Sequence, residues 1–192
     1  VKLVIVDLGC GNIGSVRLAM QRFGIEPVVS ADAETIGGAD EVILPGVGAA
    51  GYAMERIEAL GLRRTLVALK QPALGICLGM QLLFERSDEA DTGCLGIISG
   101  SVRALEPAPG RPVPHMGWSR VAVRDGSIGL DDGDYLYFAH SFACDDGTAT
   151  VAVADYGRPI PAVVRQGNWT GAQFHPERSG PAGARFLESF LA

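Results

Sequence analysis

The chain opens on VKLVIVD, an unbroken apolar, largely β-branched run that stops at the glycines of DLGCGNIGS. No other feature restricts the fold as strongly. A strand that is apolar at successive positions has no face to give to water, so it belongs inside a sheet covered on both sides. NIGSVRLAMQRFG then takes up a helical period. Ile13, Val16, Leu18, Ala19, Met20 and Phe23 supply its apolar face, and Gly24 is the expected stop. EPVVS reads as a second strand and DEVILPGVG as a third. A helical stretch from Ala49 to Leu69, broken at Gly61, follows. PALGI is a fourth strand, and LGMQLLFER begins the next helix.

This alternation predicts an α/β fold with an open, mostly parallel central sheet flanked by helices, in a flavodoxin-like arrangement. From about Gly96 the texture changes. GWSRVAVR, YLYFAHSFAC, TATVAVADY and PAVVRQ suggest antiparallel strands and hairpins added at the edge of that sheet. GRPVPHMGW reads as a surface loop, and PAGARFLESFLA, with Pro181 near its start, as a terminal helix. A length of 192 residues, 47% of them hydrophobic, suits a single domain spanning 1–192.

A net charge of −6 argues against nucleic-acid binding, because no basic stripe faces a phosphate backbone. Cys10, Cys77, Cys94 and Cys144 lie far apart with no C-x-x-C spacing. Neither a metal site nor a disulfide framework is expected, and reduced thiols point to a cytoplasmic setting. No apolar run approaches the ~20 residues that span a bilayer. VKLVIV is too short for a signal-peptide core.

In an open parallel sheet, ligands bind beyond the carboxyl ends of the strands. Three glycine-rich turns fall there: GCGN (9–12), PGVG (45–48) and GICLG (75–79). GCGNIG has the outline of a dinucleotide fingerprint, and Asp32 lies about twenty residues on, as that reading requires. GICLG instead has the spacing of a nucleophile elbow with cysteine in place of serine. A strand enters, Cys77 occupies the corner, and a helix leaves from Leu78. Helix-terminal amides aimed at the sulfur would lower its pKa and could hold an oxyanion. By itself the elbow fits a buried structural cysteine as well as a nucleophile.

AQFHPERSG shifts that balance, because a nucleophilic cysteine needs a base and the base needs an orienting partner. Proline favours an extended residue before it, and residues two apart on an extended segment share a side. Glu177 could therefore sit against one nitrogen of His175 while the other faces Cys77. His115 and His140 have no acidic residue within two positions, so structural or contact roles are expected for both. Packing is expected for Cys10, Cys94 and Cys144.

Together, GICLGMQ, PGVG and QFHPE make the chain resemble the class I, triad-type glutamine amidotransferases from end to end. GNIGSV, PGVGA, Met80, PHMGW at 114–118 and the serine-glycine after HPER make it similar, within that class, to the glutaminase subunits of imidazole glycerol phosphate synthase. The resemblance implies that Cys77 attacks the side-chain amide of L-glutamine, with His175 as proton shuttle and Glu177 orienting it. It also implies oxyanion donors at the Val47 and Leu78 amides, and glutamine contacts at Gly48, Gln81, Ser141 and Phe142. No cofactor is implied.

Two positions depart from the common pattern. Phe142 stands where tyrosine is frequent, and Arg178 where lysine is. The implied partner is a TIM-barrel cyclase subunit, with Asn12, His115, Met116, Trp118, Tyr137 and Arg178 as interface residues. Core packing is the competing account of Met116 and Trp118. Four other readings stay open at this point: the glutaminase subunit of another synthase, a stand-alone γ-glutamyl thiol hydrolase, a non-enzymatic module, and dinucleotide binding at GCGN.

Overall fold

A computed structural model describes all residues, Val1–Ala192. The opening run becomes β1 (Leu3–Val6), buried at every position. Leu3 and Ile5 point into one apolar cluster, Val4 and Val6 into another on the opposite face. That division is what a strand covered on both sides requires. After β1 come α1 (Ile13–Gln21), β2 (Val28–Ser30), α2 (Ala33–Gly37), β3 (Glu41–Gly46), α3 (Ala50–Ala59), α4 (Arg63–Ala68) and β4 (Ala73–Cys77). The break between α3 and α4 falls at Gly61, whose φ of +67° suits glycine. The predicted alternation of the first half is present, with α2 as an addition that Asp32 caps through the Thr35 amide.

The remainder comprises α5 (Leu78–Gln81), β5 (Phe84–Ser87), β6 (Thr92–Gly93), β7 (Ile98–Ala104) and β8 (His115–Val123). It continues with β9 (Tyr135–His140), β10 (Phe142–Cys144), β11 (Thr150–Asp155), β12 (Pro159–Gln166), β13 (Trp169–Ala172) and α6 (Gly180–Phe190). Nine strands form the main sheet, in the order β2-β1-β3-β4-β13-β12-β11-β8-β9. Its first five are mutually parallel, the order of a flavodoxin-like sheet. The last four run antiparallel and extend its edge. No helix is long and apolar enough to cross a membrane.

Four readings of the sequence need correction. LGMQLLFER does not continue as a helix: α5 is a single turn, after which the chain leaves as β5 to pair with β7. The resulting four-stranded second sheet, β10-β7-β5-β6, was not anticipated. GRPVPHMGW is a loop only to Pro114, because β8 begins at His115 and pairs with β9. Finally, WTGA is a strand. It lies between β4 and β12 and brings QFHPE to the carboxyl edge beside Cys77.

Candidate active site

Crowding builds the corner at Cys77. A Cβ on Gly75 would stand 2.7 Å from the Gly79 carbonyl oxygen, and one on Gly79 only 1.9 Å from that of Leu44. Both positions therefore admit only glycine, because α5 packs directly on β3 and on the end of β4. Between them Cys77 takes φ +55° and ψ −109°, a conformation an L-residue holds at a penalty of about 1–3 kcal/mol. The strand register sets Gly46 opposite Cys77, so Val47 and Leu78 follow side by side. Gly46 permits that approach, since a Cβ there would meet Leu78 Cβ at 2.9 Å.

His175 arrives from the end of β13 in an extended conformation, φ −96° and ψ 98°. Glu177 reaches it by a different route from the expected one. Pro176–Arg178 form a tight 3-10 turn, and this curls the carboxylate back so that Oε1 lies 2.9 Å from His175 Nδ1. Ser179 locks the turn, donating to the His175 carbonyl at 2.7 Å and accepting from the Tyr137 amide at 2.9 Å. Gly183 lets α6 sit against it: a Cβ there would be 2.1 Å from the Pro176 carbonyl oxygen.

The His175 and Glu177 side chains are 8% and 1% exposed. Burial disfavours charge on the imidazole, but hydrogen bonding and attraction to Cys77 and Glu177 outweigh it and raise its pKa to about 10. Because Glu177 occupies Nδ1, the nitrogen left for Cys77 is Nε2. Glu177 Oε2 is buried without a partner, which leaves the imidazole as the carboxylate's main source of compensation.

In front of Cys77 opens a cavity of about 270 Å³. Val47, Gly48, Leu78, Gln81, Ser141 and Phe142, all expected to meet substrate or oxyanion, line it together with Cys77. Gln81 is rigidly held. Its Nε2 donates to the Phe142 carbonyl at 2.8 Å and to Gln173 Oε1 at 3.0 Å, leaving Oε1 for a ligand.

Three residues in this assembly were not singled out as site residues in the sequence. Glu89 lines the cavity and accepts the Ala50 amide at 2.7 Å. Gln173 is fully buried and donates to Cys77 Sγ at 3.8 Å. His140 also lines the cavity. Gln173 lies in QFHPE and His140 in YLYFAHSFAC, whereas Glu89 lies in neither. No group of three or more His, Cys, Asp or Glu side chains gathers to hold a metal ion.

At the rim, Met116 and Trp118 are 64% and 54% exposed, so core packing does not account for them. Trp118 meets Tyr137 edge to face at 6.0 Å, and the Arg178 guanidinium lies 4.4 Å from the Tyr137 ring centre. Asn12 is half-buried in the turn leading into α1. His115 departs from the expected pattern. It is 3% exposed, stacked against Phe138 and Tyr156, and its side chain offers nothing to a docking surface.

Residues 4–192 match the family model for class I glutamine amidotransferases. The chain is also 50% identical to "Imidazole glycerol phosphate synthase subunit HisH" of Xylella fastidiosa (strain Temecula1), over 99% of its own length and 96% of that protein. The HisH subunit of Xanthomonas campestris pv. campestris (strain 8004) is 50% identical over 98% and 96%. The chain belongs to the class I glutamine amidotransferases, among the HisH subunits.

Among solved structures, a protein described as glutamine amidotransferase superposes with a TM-score of 0.77 at 22% identity, covering 98% of this chain and 96% of that one. PurLQS from Thermotoga maritima superposes at 0.73 and 20% identity, covering 99% and 97%. At those identities the likeness concerns the fold, including the antiparallel extension. In this glutamine amidotransferase, Phe142 presents its carbonyl to Gln81, a main-chain contact that does not depend on the side chain. Arg178 lies over a tyrosine face, where a planar guanidinium stacks better than an ammonium.

Proposed function

We propose that the chain hydrolyses L-glutamine through a Cys77–His175–Glu177 triad and passes the ammonia to a TIM-barrel cyclase subunit of imidazole glycerol phosphate synthase. The observation that carries this reading is the strained Cys77 corner backed by a buried, charge-holding His175–Glu177 pair. Cys77 thiolate attacks the side-chain carbonyl carbon, and negative charge moves to its oxygen. The Leu78 and Val47 amides receive that charge; Gly48, at φ +97°, lets the Val47–Gly48 loop reorient to do so. Imidazolium His175 gives its proton to the leaving nitrogen as the C–N bond breaks, leaving a γ-glutamyl thioester. Neutral His175 then takes a proton from water, which attacks the thioester to release glutamate and restore the thiolate and the imidazolium.

Glu89 and the Gln81 carbonyl oxygen suit the substrate's α-ammonium. Gly48, Ser141 and the main chain of Phe142 complete the glutamine contacts. Residues 1–192 act as one amidotransferase domain, working in the cytoplasm. Ammonia released into bulk water would be protonated and diluted, so the partner must cover the cavity mouth. Asn12, Met116, Trp118, Tyr137 and Arg178 form that docking face, exposed apolar and cationic groups being typical of such contacts.

The test is glutamine hydrolysis with and without the cyclase subunit and its nucleotide substrate. Slow hydrolysis alone and faster hydrolysis in the complex is the expected result. Equal rates would return the chain to a stand-alone thiol hydrolase.

A further inference from the structure

Behind the cavity, two buried histidines form a chain whose hydrogen positions follow from its ends. His140 Nδ1 lies 2.8 Å from the Phe142 carbonyl oxygen, His140 Nε2 lies 2.9 Å from His115 Nδ1, and His115 Nε2 lies 2.8 Å from Ser119 Oγ. A carbonyl only accepts, so His140 must carry its hydrogen on Nδ1. Burial lowers both histidines to about 4 and keeps them neutral, which makes His140 Nε2 an acceptor. His115 must then donate from Nδ1, and its Nε2 accepts from the Ser119 hydroxyl. All three bonds run in one direction, and each fixes the next.

The rings have little freedom to break this order. His115 is held between Phe138, 4.9 Å away and 15° from parallel, and Tyr156, 3.9 Å away and 21° from parallel. The inner end converges on the catalytic cavity. The Phe142 carbonyl that receives His140 also receives Gln81, and Gln81 orients Gln173, whose amide donates to Cys77 Sγ. The outer end sits beside Trp118 on β8, the strand that also exposes Met116.

We propose that His115 and His140 are positioning residues that form, with Ser119, a directional relay fixing the Phe142 carbonyl and the Gln81 amide for glutamine binding, and that this relay ties β8 to the nucleophile. The proposal rests on the glutaminase reading above and adds a role for groups which that mechanism does not use.

The test begins with long-range nitrogen correlation spectra of the imidazoles in the wild-type chain at neutral pH. Both rings should be neutral with hydrogen on Nδ1; hydrogen on Nε2 of either ring overturns the relay. Kinetics supply the second arm. His115→Phe keeps the stacking but removes both hydrogen bonds, and should raise KM for glutamine roughly tenfold with a smaller change in kcat. His115→Asn can still donate toward His140 and should bring KM back to within about threefold of wild type.

Equal KM for the two variants would overturn the relay, because a merely structural role would follow thermal stability instead. Should His115 variants fail to fold, Ser119→Ala removes only the half-buried outer link. The carbonyl end still sets the order, so His115 should keep its hydrogen on Nδ1; a mixture of tautomers, or hydrogen on Nε2, overturns the directionality. Failure of the wild-type chain to hydrolyse glutamine, even in complex, would sink the glutaminase reading alone, since the tautomer measurement needs no substrate.

Discussion

Gly183→Ala is a single added methyl on α6, outside the cavity at Cys77, and it should disable the His175–Glu177 pair of the proposed triad. The new Cβ would lie 2.1 Å from the Pro176 carbonyl oxygen, whereas real Cβ contacts stay beyond 3.0 Å. Something must therefore move by at least 3.0 − 2.1 = 0.9 Å. Pro176 lies between His175 and Glu177, so motion of the turn opens their 2.9 Å hydrogen bond toward 3.8 Å, beyond hydrogen-bonding range. A misplacement of about 1 Å at a reacting group lowers turnover on the order of a hundredfold, and overpacking of this kind costs about 1–3 kcal/mol of stability. The assay is kcat for glutamine hydrolysis in the synthase complex, alongside thermal denaturation. Gly14→Ala, where nothing lies within 4 Å, is the control and should leave kcat unchanged. If Gly183→Ala keeps kcat within about twofold of wild type while losing stability, α6 has yielded instead of the turn. The claim that α6 holds the His-Pro-Glu geometry would then be wrong.

Two further predictions concern protons. Glu177→Gln removes the carboxylate that helps raise His175, so the histidine should titrate well below the about 10 of the native pair, readable by NMR. Because the folded pKa lies above the unfolded value of about 6.5, this ion pair stabilises the fold fully below that pH. Its contribution fades as pH rises toward about 10. His115 and His140 act in the opposite sense. Burial lowers both to about 4, so the unfolded chain takes up protons first. Stability measured by denaturant titration should fall as pH drops from about 6.5 toward 4, and His115→Phe should flatten that dependence.

The sequence was most legible where one strand carries its own signal. VKLVIVD and DEVILPG read correctly because strands buried on both faces need unbroken apolar runs, and the glycines that end them mark the ligand edge. WTGA was missed because it is only four residues long and its Gly171 and Ala172 carry little strand character. Its glycine answers to a distant neighbour, since a Cβ there would strike the Met80 side chain at 2.7 Å. LLFER has a helix's composition, but pairing of Phe84 with Ile98 draws it into the second sheet. The site divided along the same line. Cys77, His175 and Glu177, the proposed triad, sit in the short motifs GICLG and HPE, although a 3-10 turn rather than extended spacing joins the last two. Glu89 and His140 reach the cavity through tertiary packing, Gln173 joins Cys77 across 96 residues, and His115 turned inward where PHMGW suggested a surface. No local pattern encodes those contacts.

The central claim is that Cys77 carries the acyl group. Rapid acid quenching of the synthase complex turning over glutamine, followed by peptide mass spectrometry, tests it directly. The account predicts a γ-glutamyl adduct on the peptide bearing Cys77, with neither adduct nor glutamate formation in Cys77→Ala. Hydrolysis that survives Cys77→Ala, or an adduct on any other residue, would contradict it.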